Sequence, residues 1–544
     1  SAWIQVLVDG RSVYSNYFSG SVAPGLMTVM LEDIERIEVL RGSNSVAYGA
    51  RAMMGVVNIV TRHSADTLGP RAALTRGENG IQDTQLGLGW RSDNSSMRLS
   101  MDERGDDGLS GANGHNRVQR VNFRSDWQLS GSSNVQLSAG WMSIASGKGF
   151  ANKKIPDARD TSFDNKFVQI DWKEVLSPDQ DLLLSLSHNQ ESYRDVVPYL
   201  PIPGLNLDAS GITSNTTLTA QHTLRLSPAV RMVWGAELRR ESITSQAVYN
   251  TSEDIVDDFT RLFTHAEWRL RPDLLLNAGV MAEHSGVSGS SLAPRLMLNW
   301  HVTPEQTLRA GISRSFRPPS MYERRADVRY TLNQKLLGVT FLARGNVDPE
   351  ALLTRELGYL GTFPWLKSAL DIRVFDESLT GLIYSVPYLV QLDGNTYAPR
   401  DYTNLFNFSV RGLELQWNGQ PWPGAKLGFN QTFSRIAAPN SPKGAQVRMA
   451  VPESTSTLFL TQQLPSGLQF SVSHQYSEPL LIQKSGDFRQ YINRTDWRLS
   501  KSLRLGSRTG ELALTVQNQG QAYVDFAKEF LFQRRAFVTL RIDN

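Results

Sequence analysis

The sequence predicts an all-β membrane protein, a 22-stranded antiparallel transmembrane β-barrel, on three observations. From about residue 70 onward, segments of about ten residues alternate between apolar and polar side chains. Leu468, Phe470, Val472 and Tyr476 alternate with Gln469, Ser471 and Ser473, and Val135, Leu137, Ala139 and Trp141 form a second such set. Leu512, Leu514 and Val516 repeat the pattern, as do Leu274, Leu276, Ala278 and Val280. A period of two with one apolar face is the signature of a strand, and no helical stripe of comparable length competes with it. The connections between the segments alternate in length. Finally, there is no run of 18 apolar residues to make a transmembrane helix. The slightly negative mean hydropathy is what a barrel with lipid-facing and lumen-facing residues in alternation produces.

The short connections are rich in Pro, Gly, Asp and Ser, the residues that close tight hairpins. They lie at Gly131–Ser133, Ser177–Asp179, Ser227–Pro228, Arg271–Asp273, Thr303–Glu305, Pro364–Trp365, Pro421–Gly424, Pro465–Gly467 and Gly506–Arg508. Longer polar connections fall between them, at about 107–116, 147–161, 195–211, 248–257, 318–351, 386–401, 437–454, 478–490 and 520–531. Short turns on one rim and long loops on the other are the pattern of outer-membrane barrels. The last strand is expected over Ala536–Asn544, and an even count of 22 places both ends of the barrel on the short-turn rim. A barrel of this size belongs to the class whose lumen is plugged.

Composition excludes other classes. With 56 Lys and Arg against 53 Asp and Glu, the chain has no basic field for a nucleic acid. Cysteine is absent, which rules out a disulfide scaffold, a Cys-ligated metal and thiol chemistry. The eight histidines are scattered without metal-ligand spacing, and no nucleophile elbow, phosphate loop or dinucleotide fingerprint appears, so neither an enzyme nor a resident cofactor or metal is expected. A secreted β-solenoid enzyme would show a short fixed repeat and an acidic cluster, and neither is present.

Residues 31–62 read LEDIERIEVLRGSNSVAYGARAMMGVVNIVTR. Two alternating runs, Ile34–Leu40 and Val56–Thr61, flank a small-residue turn marked by Arg41-Gly42 and Tyr48-Gly49. This stretch resembles the end of the plug domain of TonB-dependent outer-membrane transporters, and Val6-Leu7-Val8-Asp9-Gly10-Arg11 resembles the same domain's earlier strand and turn. Ser43 stands where the family usually has proline. Further resemblances lie at Ala293–Leu296, Ser315–Ser320, Asn346–Glu350, Glu356–Gly358 and Gly412–Glu414. The resemblance implies residues 1–66 as a partial plug inside a barrel of residues 67–544. It places Ser1 in the middle of the plug, with the plug's first part and the TonB box expected before it. On that reading the 544-residue form sits in a membrane and binds ligand, but supports energised uptake only once those residues are restored. The final strand carries Val538, Leu540 and Ile542 in alternation but ends at Asn544 where the family has an aromatic residue, so the chain is expected to continue.

The resemblance implies a TonB-dependent active transporter in the outer membrane of a Gram-negative bacterium, with most members carrying a ferric siderophore. Iron would enter only as part of the chelate. Its partners would be the inner-membrane TonB complex, the small-molecule ligand, and outer-membrane lipid including lipopolysaccharide, with the protein itself a monomer. The alternatives are another cargo, namely cobalamin, a different metal complex or a saccharide, or a passive porin or adhesion barrel. A porin would lack the motif at 31–62. The resemblance also disfavours haem, because no histidine lies between Ser320 and Asn346, where haem transporters of the family usually carry one.

Three groups of residues are the candidates for carrying this function. The resemblance pairs plug arginines Arg36 and Arg41 with barrel residues Glu356 and Glu414, whose parity in their strands places them toward the lumen. They are either a plug–barrel lock or ordinary solvated lumen charges. The loop after the first plug strand carries Arg11, Tyr14, Tyr17 and Phe18, either a ligand platform or an aromatic loop packed on the wall. Arg324, Arg329 and Tyr330 belong to a cationic loop, either suited to an anionic chelate or simply a solvated loop whose charges meet lipopolysaccharide phosphates.

Overall fold

A computed structural model describes residues 3–18, 20–21, 23–149, 158–199, 202–482, 488–506, 508–525 and 530–543. Twenty-two antiparallel strands form one closed barrel, the fold that the alternation predicts. The last strand, Arg535–Asp543, pairs with the first, Gly69–Gly77, setting Phe537 opposite Gly77 and Ile542 opposite Ala72. Closure removes the unpaired edges that a sheet in lipid cannot leave open. The two faces separate as expected: Leu74, Leu86 and Leu88 are exposed on the outside, whereas Thr75 and Gln85 are buried. Trp90, Trp127, Trp268, Trp300, Trp365 and Trp422 are all exposed near short turns, as in the aromatic belt of a membrane interface.

Inside the barrel lies a four-stranded sheet in the order β2-β1-β4-β3. It comprises β1 (Ile4–Val8), β2 (Arg11–Ser12), β3 (Ile34–Arg41) and β4 (Gly55–Thr61). The turn from β1 to β2 holds both Asp9 and Gly10 at positive φ, 48° and 81°, which suits a two-residue hairpin. The Asp9 carboxylate then accepts from the backbone N–H and hydroxyl of Thr61 at 2.8 and 2.7 Å, tying that turn to the end of β4. Val6, Val8, Val13, Tyr14, Val29 and Ile59 form the core beneath the sheet.

Barrel arginines bind carbonyls of the plug backbone. Arg120, held by Asp102, donates to Met27 O and Val29 O at 2.9 and 3.0 Å, and Arg98 donates to Arg62 O at 2.6 Å. These contacts pair backbone acceptors that no plug strand reaches.

Most long connections coincide with the expected ones, and their departures have simple causes. The connections 78–81 and 286–288 lie on the long-loop rim yet are as short as inner turns, so length alone hides them. The inner turn at 93–94 contains neither Pro nor Gly. Strand Thr251–Arg271 runs 21 residues, well past the roughly 9–11 that cross a bilayer, and reduces the expected loop 248–257 to 246–250. The expected loop 386–401 widens to 381–407, and with 318–349 it builds a small sheet of its own, Asp327–Leu332, Lys335–Leu342, Arg400–Asn404 and Ile383–Pro387. Residues 1–2, most of the expected loop 147–161, 483–487, Ser507, 526–529 and Asn544 lie outside the described residues.

Candidate functional site

Arg41 ends β3 and reaches the barrel wall. Its guanidinium donates to Glu414 Oε2 at 3.2 Å and to Asp371 Oδ2 at 2.5 Å, and Asp371 also accepts from Arg309 at 2.8 Å. Glu356 is engaged by a barrel arginine instead: Arg373 Nε donates to it at 2.6 Å while the same guanidinium lies 3.5 Å from Glu414. The plug meets this cluster at Gly42, which has φ 76° and where a Cβ would lie 2.7 Å from Arg373 Nη2 and 3.3 Å from Glu356 Oε2. Glycine is required there for both backbone conformation and space.

The assignment of Arg36 to this contact is corrected by the structure. β3 is the edge strand of the plug sheet, and Arg36 lies exposed on it, bonded to its own neighbours Glu35 at 2.9 Å and Glu38 at 2.7 Å. Because the pairs of Arg41 are part-exposed and its acids retain Arg309 and Arg373, Arg41→Ala is expected to cost only about 1 kcal/mol. Hydrogen exchange should report faster opening at residues 34–45 with barrel melting unchanged. Loss of the folded barrel would contradict this.

A second plug–barrel contact was not legible in the sequence. Arg51 follows the Tyr48-Gly49 turn and makes a bidentate pair with Glu241 at 2.9 and 3.1 Å, both side chains being nearly inaccessible. Its guanidinium lies over the Tyr14 ring, 3.9 Å from the centroid. Burial alone would loosen the Arg51 proton, but the charge and hydrogen bond of Glu241, together with Tyr14 and Glu283, outweigh it and hold that proton more tightly than usual. Charges continue along the wall through Arg239, Glu237 and Arg261. The only sequence signal is an arginine placed among small residues at a turn.

Arg317 joins three parts of the molecule. It is buried, forks onto Glu323 at 2.9 and 3.2 Å and donates through Nε to Glu350 at 2.6 Å. Glu350 also accepts from the plug indole of Trp3 at 2.6 Å and from the Ile383 amide at 2.7 Å. Glu323 closes a capping box with Ser320 at the helix Met321–Arg325.

On the long-loop side the plug contributes an aromatic tip. Phe18 packs edge-on to Tyr17 at 4.4 Å and to Tyr322 at 5.4 Å. Tyr17 lies 5.5 Å from Tyr193 at the top of a barrel strand and donates to Ala209 O at 2.5 Å. Tyr322 continues to Phe341 at 5.3 Å and Tyr402 at 5.9 Å, which stack on each other. Cations border the cluster, with Lys148 4.8 Å from the Tyr193 centroid and Arg344 on Asp401 at 2.6 Å. Burial pushes the Tyr17 hydroxyl well above its ordinary pKa, so it stays a neutral donor.

The other expected ligand residues are placed differently. Arg11 and Tyr14 are corrected from ligand platform to plug interior. The chain turns inward at β2, so Arg11 is buried with its guanidinium 3.8 Å from the Phe167 centroid, and Tyr14 packs in the plug core. Burial pushes Arg11 down to about 10 against the pull of Asp9 and Glu191. Arg11 borders a cavity of about 1000 Å³ between the plug and the wall, together with Asp9, Arg124 and Asp171. Arg329 is bidentate on its neighbour Asp327 at 2.7 and 2.9 Å, Arg324 donates to Val347 O at 2.6 Å, and Tyr330 packs half-buried against the loop core. Tyr193, Tyr322, Phe341 and Tyr402 were not foreseen, because loop aromatics have no spacing that marks them before the loops fold.

A closed 22-stranded barrel holding a sheet that it grips through ion pairs defines a plugged outer-membrane receptor. The family model described as TonB dependent receptor-like, beta-barrel matches residues 61–527, and that of the TonB-dependent receptor plug domain matches residues 1–56. The chain belongs to the TonB-dependent receptors of the outer membrane, a family of receptors and not of enzymes. It is 22% identical over 426 residues to a vitamin B12 transporter of Vibrio cholerae, covering 76% of this chain and 63% of that protein. It is 24% identical over 390 residues to an iron-regulated outer membrane virulence protein of the same organism, covering 66% and 56%. The chain thus spans less than two thirds of the length of these curated relatives. Among solved structures, the ferric enterobactin receptor of Pseudomonas aeruginosa superposes with a TM-score of 0.81 at 16% identity, covering 100% of this chain and 90% of that one. The siderophore receptor PirA of Acinetobacter baumannii gives 0.79 at 12%, covering 99% and 90%.

Proposed function

We propose that this chain is the receptor and channel portion of an active transporter that takes up a ferric siderophore and is energised through TonB. The observation that carries the reading is the shared aromatic cluster: Tyr17 and Phe18 of the plug pack with Tyr193 of the wall and Tyr322 of an outer loop. Tyr17 and Tyr322 are buried within the cluster and Phe18 half-buried, so a ligand seated on the loops would press on the plug through these rings, and that coupling is what an energised partner needs to sense occupancy. The half-buried rings of the cluster, Phe18, Tyr193 and Tyr402, bordered by Lys148 and Arg344, suit a large, flat-sided anionic chelate. Two relatives are named for iron regulation or ferric enterobactin, which supports iron as the cargo. Cobalamin is the second reading, supported by the vitamin B12 transporter among the relatives.

The test is a titration of the purified full chain with ferric catecholates, ferric hydroxamates and cyanocobalamin, followed by tryptophan fluorescence. Phe18→Ala combined with Tyr322→Ala is expected to weaken binding of the preferred ferric chelate at least tenfold, about 1.4 kcal/mol. Tighter binding of cyanocobalamin than of any ferric chelate would overturn the siderophore reading, and unchanged affinity in the double variant would remove the aromatic site.

A further inference from the structure

The barrel closes at its shortest junction. The last strand, Arg535–Asp543, meets the first, Gly69–Gly77, over six residue pairs, from Phe537 opposite Gly77 to Ile542 opposite Ala72. The next shortest ladders of the barrel run over eight among the described residues. At every other junction the two strands are successive in the barrel, so a turn or loop holds them in register. Here the partners are distant in sequence: Thr75 and Thr539, whose hydroxyls bond across the junction at 2.9 Å, stand 464 residues apart. Such a closure has the largest loop entropy to overcome and no turn to help it.

The last outer loop crosses this junction. Its two arms, Tyr523–Val524 and Leu531–Phe532, pair as a short hairpin. Leu531 then exchanges both backbone bonds with Ser110, each at 3.1 Å, in the loop between the third and fourth strands. Arg535 donates to Gly108 O in the same loop at 3.0 Å. The hairpin therefore passes over the first two strands, whose own connection at 78–81 is short, and spans three strand spacings, about 14 Å. Its base is built for the purpose. The Phe532 ring lies between the guanidinia of Arg494 and Arg535, 4.5 and 4.7 Å from its centroid, and Tyr523 stacks on it at 5.5 Å. Asn518, fully buried with φ 52°, turns the chain and donates to Gln521 O and Phe532 O, both at 3.1 Å.

We propose that these two arms are a strap that fastens the barrel seam in place of the missing turn. The wall then has one conditional opening, between residues 72–77 and 537–542, which stays shut while the strap is docked on the loop at Gly108 and Ser110. Parting of this ladder bares two strand edges toward lipid, where unpaired backbone groups find no water. Docking also marks the end of closure, because Leu531 comes within reach of Ser110 only once the first and last strands have met. The strap lies apart from the aromatic cluster at Phe18 and Tyr322, so it acts independently of the transported cargo.

The test is hydrogen exchange of the purified full chain in lipid nanodiscs. Phe532→Ala removes the ring between the two guanidinia and is expected to speed exchange over 72–77 and 537–542 about tenfold, with the hairpin 350–380 unchanged. Tyr491→Ala, which removes a ring stacked on Tyr476 at 6.0 Å in another outer loop, should leave the seam as it is. The chain has no cysteine, so Ser110→Cys with Leu531→Cys introduces a single crosslink. Their antiparallel pairing sets the Cα atoms about 5.5 Å apart, within disulfide reach. Added to Phe532→Ala, the crosslink should restore seam protection when oxidised and lose it again when reduced. A heat-modifiable barrel band on gels confirms folding of each variant. Unchanged seam exchange in Phe532→Ala, an equal rise over 350–380, the same rise in Tyr491→Ala, or no recovery in the oxidised form would each overturn the proposal.

Discussion

Arg317→Ala is expected to free the outer loop 318–349 from the barrel while the barrel itself remains closed. The substitution leaves Glu323 and Glu350 buried without their shared cation. Removing one partner of a buried pair costs about 3–5 kcal/mol, because the remaining charge has no solvent to turn to. Local opening of this loop should therefore rise by roughly 10²–10⁴, read as lost amide protection over 318–349 and, through Trp3, over 3–8. Arg317→Lys should restore little, since one ammonium cannot fork onto Glu323 and also reach Glu350. Unchanged protection in Arg317→Ala would show that the capping box and the apolar contacts of Met321 and Tyr322 hold the loop alone.

The second large effect lies at Arg51 and Glu241, and its asymmetry is the informative part. Arg51→Met leaves Glu241 with Arg239, 2.9 Å away, so the stranded carboxylate keeps a cation. Glu241→Met leaves Arg51 buried with only the Tyr14 ring beneath it. The second variant is expected to be worse by about 1–2 kcal/mol, and the double variant to recover much of the loss. A double-mutant cycle read through exchange at residues 48–56 should give a coupling near the upper end of about 0.5–3 kcal/mol. Equal single effects that simply add would mean that the two residues act independently.

The barrel was legible because lipid imposes a strict alternation, with lipid-facing positions such as Leu86 and Leu88 forced apolar in a strand of period two. The plug sheet was legible because residues 31–62 carry a chain of fixed small and charged positions. The sites were legible only in part. Arg41 and Glu414 stand in motifs and meet, but Arg36, in the same motif, turns to Glu35 and Glu38, since a plug edge strand can satisfy a charge locally. Arg11 and Tyr14 share a loop with Tyr17 and Phe18, and sequence offers no signal for where that loop bends inward. Arg317 and Glu350 lie in stretches noticed for resemblance, yet their pairing spans a loop of more than thirty residues and appears only when it folds.

Phe18 holds φ at 53°, a left-handed backbone conformation that a bulky side chain rarely takes. That conformation costs about 1–3 kcal/mol, comparable with what its edge-on contacts to Tyr17 and Tyr322 supply. The tip of the plug is therefore a sprung element held down by its neighbours' rings. Whatever prises the Phe18 ring from Tyr322 need not supply all the work of moving the tip, because the backbone returns part of it on relaxing to an extended form. A small displacement on the outer surface can in this way be converted to a change of chain direction immediately beside Tyr17, whose hydroxyl ties the tip to Ala209.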